Sequence, residues 1–458
     1  MKITQRLAEF VSATPSSAIT PDAREQARRA FLDTLGVTLA GSREHASQKV
    51  AAMVRDQGGA TDAAVFGHNF RAPAAEAALV NGTSAHALDF DDVSVSMTGH
   101  PSVPLLPAVL ALAEKLGASG PEIVDAFVLG FEAECKLGRL IGAPHYALGW
   151  HPTSTFGTMG AAAACARLLR LDAERTQAAL GIAASLASGV RQNFGSMTKP
   201  LHAGWAARNG VIAATLAGGG FTADAEALEG PGGFLRAASG AAESDPAPLN
   251  RLGDPWEIVS PGIGVKLYPC CYFTHTAIDA ALQLRPSIGP DLEAIESIGV
   301  SLSPGTTMVL RKTLPRTGLE GKFSMEYCVA AALAGGAVAL ATFSDEAVAR
   351  PDVTQLMSRV TVTEDRPPAN VSVGGTAVVR VQLRDRTIES PAVEIPRGDP
   401  RNPLVWDQLC EKFRDCARDV IPQPDIRQLV ELIARLDALT SVREITDTLG
   451  AVALTAQN

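Results

Sequence analysis

The spacing of apolar residues changes twice along the chain, and these changes limit what the sequence can fold into. Up to about residue 250, apolar side chains recur at helical spacing, which predicts amphipathic helices. The clearest of these segments are 102–117, 157–171 and 174–190. Their apolar faces are rich in Ala and Gly, so we expect the helix axes to approach one another closely.

The pattern after Pro261 is that of strands. Apolar and polar residues alternate there, which indicates half-buried strands. The alternating segments are 295–303, 357–365 and 376–390. Segment 321–336 lies between the first two and has the spacing of a helix. We therefore expect an α+β domain over residues 265–397.

Helical spacing returns after the Pro- and Gly-containing stretch 394–404. The helical segment that follows, about 55 residues, is short for an independent core, so we expect it to pack back on the first half. The predicted fold class is mainly α with α+β. A large helical domain would comprise residues 1–264 and 398–458, with the α+β domain 265–397 inserted. A ligand would then bind in the cleft between the domains.

Composition and charge exclude several classes of protein. The net charge of −9 argues against a nucleic-acid surface, which needs an excess of clustered Lys and Arg. Arg6 and Glu9 interrupt any signal-peptide apolar region, and seven cysteines without CxxC spacing fit a reducing compartment. The uncharged run 327–343 is rich in Ala and Gly, which predicts a buried helix rather than a membrane span. We expect a cytoplasmic protein that binds neither membrane nor nucleic acid.

Imidazole, ammonium and carboxylate groups gather in four short segments beside Pro or Gly. These are 81–108 with His86, Asp89, Asp91, Asp92 and His100; 145–154 with His145, Tyr146 and His151; 193–210 with Lys199 and His202; and 262–275 with Lys266, Tyr268 and His275. His151 stands at a helix entrance, where free N–H groups and the positive end of the helix dipole favour an anion.

Three hydroxyl residues, 153–155, follow His151 and Pro152 at this entrance, and we expect a hydroxyl to cap the first helical turn. The acidic run around Asp89 lacks the Gly and Glu of a calcium loop, and the pair His145 and His151 lacks the further ligands of a zinc site. We therefore predict no metal. The sequence also lacks a phosphate-binding loop, a dinucleotide fingerprint and a GxSxG elbow.

Five motifs resemble those of the MmgE/PrpD family, in the same order over nearly the whole chain: HALDFDDV with GHPS, GWHPTSTFG, SMTKPLHAGWAARNG, KLYPCC and GKFSMEYC. The resemblance implies a large all-helical domain built from both chain ends, a smaller α+β lid domain, a homodimer, an active site between the domains, and no metal or organic cofactor. The site residues that it implies are Asp89, His100, His151, Lys199, Lys266 and Tyr327.

Members of this family act on carbon atoms beside carboxylates, and Lys199, Lys266 and histidines suit a small polycarboxylate substrate. The decarboxylase members have a threonine where this chain has Val93. This difference favours an epimerase of iminodisuccinate, with Tyr146 and Lys199 as its two bases and His151, Asp89 and His100 as further catalytic groups. His86, His202, Lys266 and Tyr327 would bind substrate. The alternatives are a family lyase, either 2-methylcitrate dehydratase or cis-aconitate decarboxylase, and a non-catalytic polycarboxylate-binding protein.

Overall fold

The computed structural model describes residues 2–240, 245–310, 314–367 and 374–450 and divides the chain into two compact units. The first unit comprises Met1–Val265 and Val405–Asn458, and the second comprises Lys266–Leu404. Stretch 398–404 groups with the second unit, where Asp399 accepts a hydrogen bond from the Tyr272 hydroxyl at 3.2 Å. That the second unit serves as a lid stays a prediction.

Helices make up most of the first unit. They are α1 (Ile3–Ala13), α2 (Pro21–Gly41), α3 (His45–Gln57), α4 (Ala74–His86), α5 (Ser102–Leu116), α6 (Gly120–Ile141), α7 (Ala143–Ala147), α8 (Pro152–Leu168), α9 (Ala173–Leu186), α10 (Thr198–Gly218) and α11 (Phe234–Ser239). Several begin at residues that favour a helix start: the Thr20 and Asp172 side chains cap α2 and α9, and Ser119 with Glu122 forms a capping box on α6.

A short antiparallel hairpin, β1 (Ala63–Val65) and β2 (Phe70–Ala72), also lies in the first unit. The expectation of an all-helical domain is wrong at this point, because strands of three residues are too short to show alternation. Segment 174–190 also differs from its prediction, since α9 ends at Leu186. Gly189 has φ +112°, a backbone conformation that no helix can contain.

Helix α10 packs against α4 and α8 through positions that admit no larger side chain. A Cβ added to Gly204 would lie 2.3 Å from the Leu79 carbonyl oxygen of α4, and one added to Gly210 would lie 2.4 Å from Cβ of Ala161 on α8. The close approach expected from the Ala- and Gly-rich faces is confirmed at these positions.

The second unit contains a mixed sheet with helices. Its elements are α12 (His275–Ile288), β3 (Ile295–Leu302), α13 (Gly318–Gly321), α14 (Met325–Gly335), α15 (Asp345–Val348), α16 (Pro351–Met357), β4 (Val360–Thr363), β5 (Ala377–Leu383) and β6 (Thr387–Glu389). The strand order is β4-β3-β5-β6, in which β3 and β4 are parallel and the other pairs are antiparallel. Segment 376–390 forms two strands with a turn between them rather than one.

The chain then returns to the first unit as α17 (Trp406–Ala417), α18 (Gln423–Ala434) and α19 (Arg443–Gly450). Helix α17 packs closely on α2, where a Cβ on Gly36 would lie 3.0 Å from the Phe413 ring. The predicted fold class, mainly helical with an α+β part, is confirmed. Among the described helices, none combines the length and the apolar composition that crossing a membrane requires.

Candidate active site

The loop that follows α4 carries three aspartates. Helix α4 ends at His86, and Asp89 lies in the left-handed region with φ 52°, which Asp tolerates better than most residues. Lys412 of α17 holds this loop in place: its ammonium group donates to the Phe90 carbonyl oxygen at 2.8 Å and pairs with Asp33 at 2.6 Å. Helix α17 therefore helps to position the aspartates.

Asp91 contacts two histidines with one oxygen. Its Oδ2 lies 2.8 Å from Nδ1 of His86 and 2.9 Å from Nδ1 of His100. The two rings touch, with centroids 4.7 Å apart. Burial alone would raise the pKa of Asp91, but its contacts with His100 and His86 hold this pKa well below its usual value. Asp91 is therefore ionised at neutral pH.

Asp89 and Lys199 form a buried ion pair beside these histidines. Lys199 lies in the first turn of α10, and its Nζ is 2.5 Å from Oδ1 of Asp89. Each side chain is only 6% exposed, and Nε2 of His100 lies 3.8 Å from the same Asp89 oxygen. Loss of either partner would leave an unbalanced charge in the interior.

His151 and His202 are bonded to each other through their Nδ1 atoms, which are 3.0 Å apart. Burial lowers the pKa of both, that of His202 to about 4 and that of His151 well below its ordinary value. Both rings are therefore neutral at pH 7, and one donates to the other. The His151 ring also stacks on His86 at 5.7 Å, and burial lowers the pKa of His86 to about 3.

The hydroxyl groups at the start of α8 do not cap the helix, so that expectation is wrong. His151 is the N-cap residue, and no side chain caps the helix there. Thr153 instead accepts a hydrogen bond from the backbone N–H of His100 at 3.0 Å, and the Ser154 hydroxyl donates to the His202 carbonyl oxygen at 3.3 Å. The hydroxyls fix the other histidine segments against the start of α8.

Tyr146 and His145 lie on the short helix α7. The guanidinium group of Arg191 stands 3.8 Å above the Tyr146 ring. His145 uses both ring nitrogens: Nδ1 donates to the Ala238 carbonyl oxygen at 3.0 Å, and Nε2 accepts from the Thr155 hydroxyl at 2.7 Å. His145 therefore has no nitrogen left for a metal or a substrate.

Lys266 and Tyr327 belong to the second unit, and both are buried. The Tyr327 hydroxyl donates to the carbonyl oxygen of Thr342, and the ring packs on Phe343 with centroids 5.8 Å apart. Burial raises the pKa of Tyr327. In the described structure this hydroxyl serves the core of the second unit, and its contact with substrate stays a prediction.

Contacts within the first unit connect six of the predicted site residues: His86, Asp89, His100, His151, Lys199 and His202. We call these six residues with Asp91 the histidine cluster. Sequence analysis did not assign Asp91 a role. The available signal was its place two residues after Asp89, within a segment that also contains two histidines.

Four members of the histidine cluster have ligand atoms within 4.8 Å of one another: His86, Asp89, Asp91 and His100. Their existing contacts oppose a metal ion. The Lys199 ammonium already neutralises Asp89, and Oδ2 of Asp91 already accepts from two imidazoles. The donor set therefore fits hydrogen bonding better than metal binding, and the absence of a resident metal stays a prediction.

Sequence comparisons show which known proteins this chain is similar to. The model of the MmgE/PrpD N-terminal domain matches residues 5–247, and that of the MmgE/PrpD C-terminal domain matches residues 268–438. Cis-aconitate decarboxylase of Mus musculus is 29% identical over 461 residues, covering 97% of this chain and 92% of the relative. Those of Homo sapiens and Aspergillus terreus are each 28% identical, covering 97% and 98% of this chain and 94% and 96% of their own.

Proposed function

Because the chain belongs to the MmgE/PrpD family of enzymes, we propose that it is a lyase that decarboxylates a small tricarboxylate of the cis-aconitate type. Relatives similar over almost their whole length are named cis-aconitate decarboxylases. Because of this similarity, we favour a decarboxylase over the epimerase that the sequence alone suggested. The observation that carries the proposal is the buried Asp89 and Lys199 pair beside His100.

The reaction requires a cation and a proton donor. The bond between a methylene carbon and its carboxylate breaks, and carbon dioxide leaves. The freed electron pair forms a new C=C bond, and the pair of the old double bond takes up a proton at the carbon beside a second carboxylate. Charge builds on that carboxylate in the transition state, so an ammonium group directed at it lowers the barrier.

The histidine cluster contains both kinds of group. Lys199 supplies a charge that a substrate carboxylate can share with Asp89, which lies 2.5 Å away. His100 has a side chain that is 13% exposed, whereas that of His86 is fully buried. We assign His100 as the proton donor and Lys199 as the stabilising cation. Lys266 is proposed to bind another carboxylate.

The test is a proton NMR assay of the purified protein in deuterium oxide. Cis-aconitate, 2-methylcitrate and iminodisuccinate are offered in turn. The proposal expects loss of carbon dioxide from cis-aconitate and one deuterium in the product at the carbon that took the proton. Dehydration of 2-methylcitrate as the only reaction would replace decarboxylation with another lyase activity. Turnover of none of the three would favour the polycarboxylate-binding protein.

Epimerisation of iminodisuccinate is the second candidate, because the Tyr146 hydroxyl would supply the second proton-transfer group and the Arg191 guanidinium group lies 3.8 Å from the Tyr146 ring. If Tyr146 and Lys199 serve opposite faces of an α-carbon, Tyr146→Phe abolishes inversion. One enantiomer then continues to exchange its α-proton with solvent through Lys199. Loss of inversion and exchange together would count against this pairing.

A substitution at Val93 distinguishes the decarboxylase from the epimerase. Its backbone is bonded in both directions to Gly264, at 2.8 and 2.9 Å, so a substitution changes the side chain on a fixed backbone. Val93→Thr restores the hydroxyl found in the decarboxylase members. We expect it to raise decarboxylation of cis-aconitate. Faster epimerisation with unchanged decarboxylation would favour the epimerase.

A further inference from the structure

One oxygen of the Asp91 carboxylate lies within hydrogen-bonding distance of ring nitrogens of two histidines. The distances from Oδ2 are 2.8 Å to Nδ1 of His86 and 2.9 Å to Nδ1 of His100. Asp91 is fully buried, and among the described residues its other oxygen, Oδ1, has no hydrogen-bond partner. The carboxylate therefore directs its hydrogen bonding at the two rings.

The neighbours of His100 determine where its proton lies. Its Nδ1 is also 2.9 Å from the backbone carbonyl oxygen of Asp92. A carbonyl oxygen and an ionised carboxylate can only accept hydrogen bonds, so Nδ1 of His100 carries a hydrogen. Its Nε2 is then the nitrogen that gains or loses a proton, and it lies 3.8 Å from Asp89 Oδ1, on the side of Lys199.

The same reasoning applies to His86. Its Nδ1 donates to Asp91, and its Nε2 is buried and has no hydrogen-bond partner among the described residues. The ring fills the space between His100 and His151, at centroid distances of 4.7 and 5.7 Å. His86 therefore supports the His100 ring from the side while Asp91 holds both rings by their Nδ1 atoms.

We infer that Asp91 is a positioning residue. It holds His86 in the tautomer with hydrogen on Nδ1 and, together with the Asp92 carbonyl oxygen, keeps hydrogen on Nδ1 of His100, so that Nε2 of His100 faces the ion pair as the proton-transfer atom. Neither of the other aspartate side chains in the loop can do this. Asp89 is 3.8 Å from His100 and pairs with Lys199, and the Asp92 side chain accepts from Ser102 at the start of α5. The kinetic part of this inference rests on the proposed function.

The tautomer part is tested without any substrate. Nitrogen NMR of the protein labelled in its histidines reports which nitrogen carries hydrogen, with signals assigned from His86→Gln and His100→Gln. We expect Nδ1–H for both residues in the unaltered protein. In Asp91→Ala, His86 loses its acceptor and shifts toward Nε2–H, whereas His100 keeps the Asp92 carbonyl. Finding Nε2–H for both histidines in the unaltered protein would overturn the inference even if the variant did not fold.

The kinetic part uses Asp91→Asn, which keeps the shape of the side chain and removes the negative charge 2.9 Å from Nδ1 of His100. We expect kcat for cis-aconitate to fall about 10²- to 10⁴-fold, with KM changed little, as for loss of an assisted proton transfer. The matched control is Glu134→Gln, an equally buried acid on α6 whose pKa is raised well above normal by burial. Its kcat should change only a few-fold.

Equal loss of kcat in both variants would show that any buried acid is needed for folding and would overturn the positioning role. The two proposals fail separately. If the NMR shift occurs but the unaltered protein decarboxylates nothing, the proposed function is wrong and the role of Asp91 in fixing the tautomers stands.

Discussion

Two regions of the first unit bury histidines that differ in how many of their ring nitrogens are hydrogen-bonded. At the α7 to α8 corner, His145 uses both nitrogens, on Ala238 and Thr155, and its ring stacks on Phe156 at 4.5 Å. At the end of α4, His86 uses only Nδ1, and its Nε2 has no hydrogen-bond partner among the described residues.

This difference separates a structural histidine from one in a reactive site. Buried polar groups are nearly always paired, and an unpaired one needs a reason. Because every hydrogen-bonding atom of the His145 ring is used, its contacts account for its presence. The histidine cluster keeps an unpaired ring nitrogen, Nε2 of His86, near the buried ion pair of Asp89 and Lys199, so its described contacts do not account for it in the same way. Four tests of this comparison follow, from the largest expected effect to the smallest.

Lys199→Met and His145→Gln should differ most in turnover. Lys199→Met removes the ammonium group that balances Asp89 and that we assign to the transition state, so kcat should fall about 10²- to 10⁴-fold. His145→Gln keeps a donor and an acceptor at the corner, and kcat should change only a few-fold. Steady-state kinetics on cis-aconitate measure both. A larger loss in His145→Gln would reverse our assignment of the two regions.

Gly204 and Gly218 lie on the same helix and test how the cluster is assembled. A Cβ on Gly204 would lie 2.3 Å from the Leu79 carbonyl oxygen, so Gly204→Ala must push α4, which carries His86, away from α10, which carries Lys199. We expect a loss of about 1 to 3 kcal/mol in the free energy of unfolding, together with lower turnover.

Gly218→Ala is the control for this effect, because the nearest atom to its added Cβ is a Leu171 carbon at an ordinary 3.5 Å. It should leave stability equal or raise it by up to about 1 kcal/mol. Urea unfolding and kcat are measured on both variants. Full stability and activity in Gly204→Ala would show that the close helix contact is not what positions the cluster.

The sequence predicts the fold class and most of the cluster for different reasons. Apolar residues at helical or alternating spacing mark the buried face of a helix or a strand. This pattern allowed segments 102–117 and 295–303 to be assigned. The hairpin at Ala63–Val65 was missed because three residues carry no periodicity. Asp89 and Lys199 were found through residue type and family motifs.

The finer roles in the site could not be predicted, because they depend on contacts between residues far apart in the chain. Thr153 looked like a helix cap but bonds the backbone of His100, and Asp91 looked like one acid among three but holds two rings. Likewise, no local pattern shows that Lys412 secures the Phe90 carbonyl. Such pairings arise from tertiary packing, which local sequence patterns do not encode.

The acid sensitivity of stability tests the structural histidine. Burial lowers the pKa of His145 from about 6.5 to about 4, so the folded chain binds fewer protons than the unfolded chain between these values. Stability therefore falls as pH drops from about 6.5 to about 4, and His145 contributes up to about 1.4 kcal/mol per pH unit. In His145→Gln, the free energy of unfolding should fall less steeply with decreasing pH, by the amount that His145 contributes. Urea unfolding at several pH values measures it, and an unchanged slope would contradict the assignment.

Removal of metal ions should have the smallest effect, namely none. His86, Asp89, Asp91 and His100 have the right ligand types at close range, so a hidden metal is the main rival explanation of the histidine cluster. A divalent cation bound by Asp89 would have to sit beside the Lys199 ammonium, which already lies 2.5 Å from that carboxylate. This costs free energy, because like charges repel strongly in a buried site. Dialysis against a chelator should therefore leave kcat, KM and the histidine tautomers unchanged. Loss of activity that a divalent ion restores would show that the carboxylates bind a metal and that the hydrogen bonds of Asp91 describe only the metal-free form.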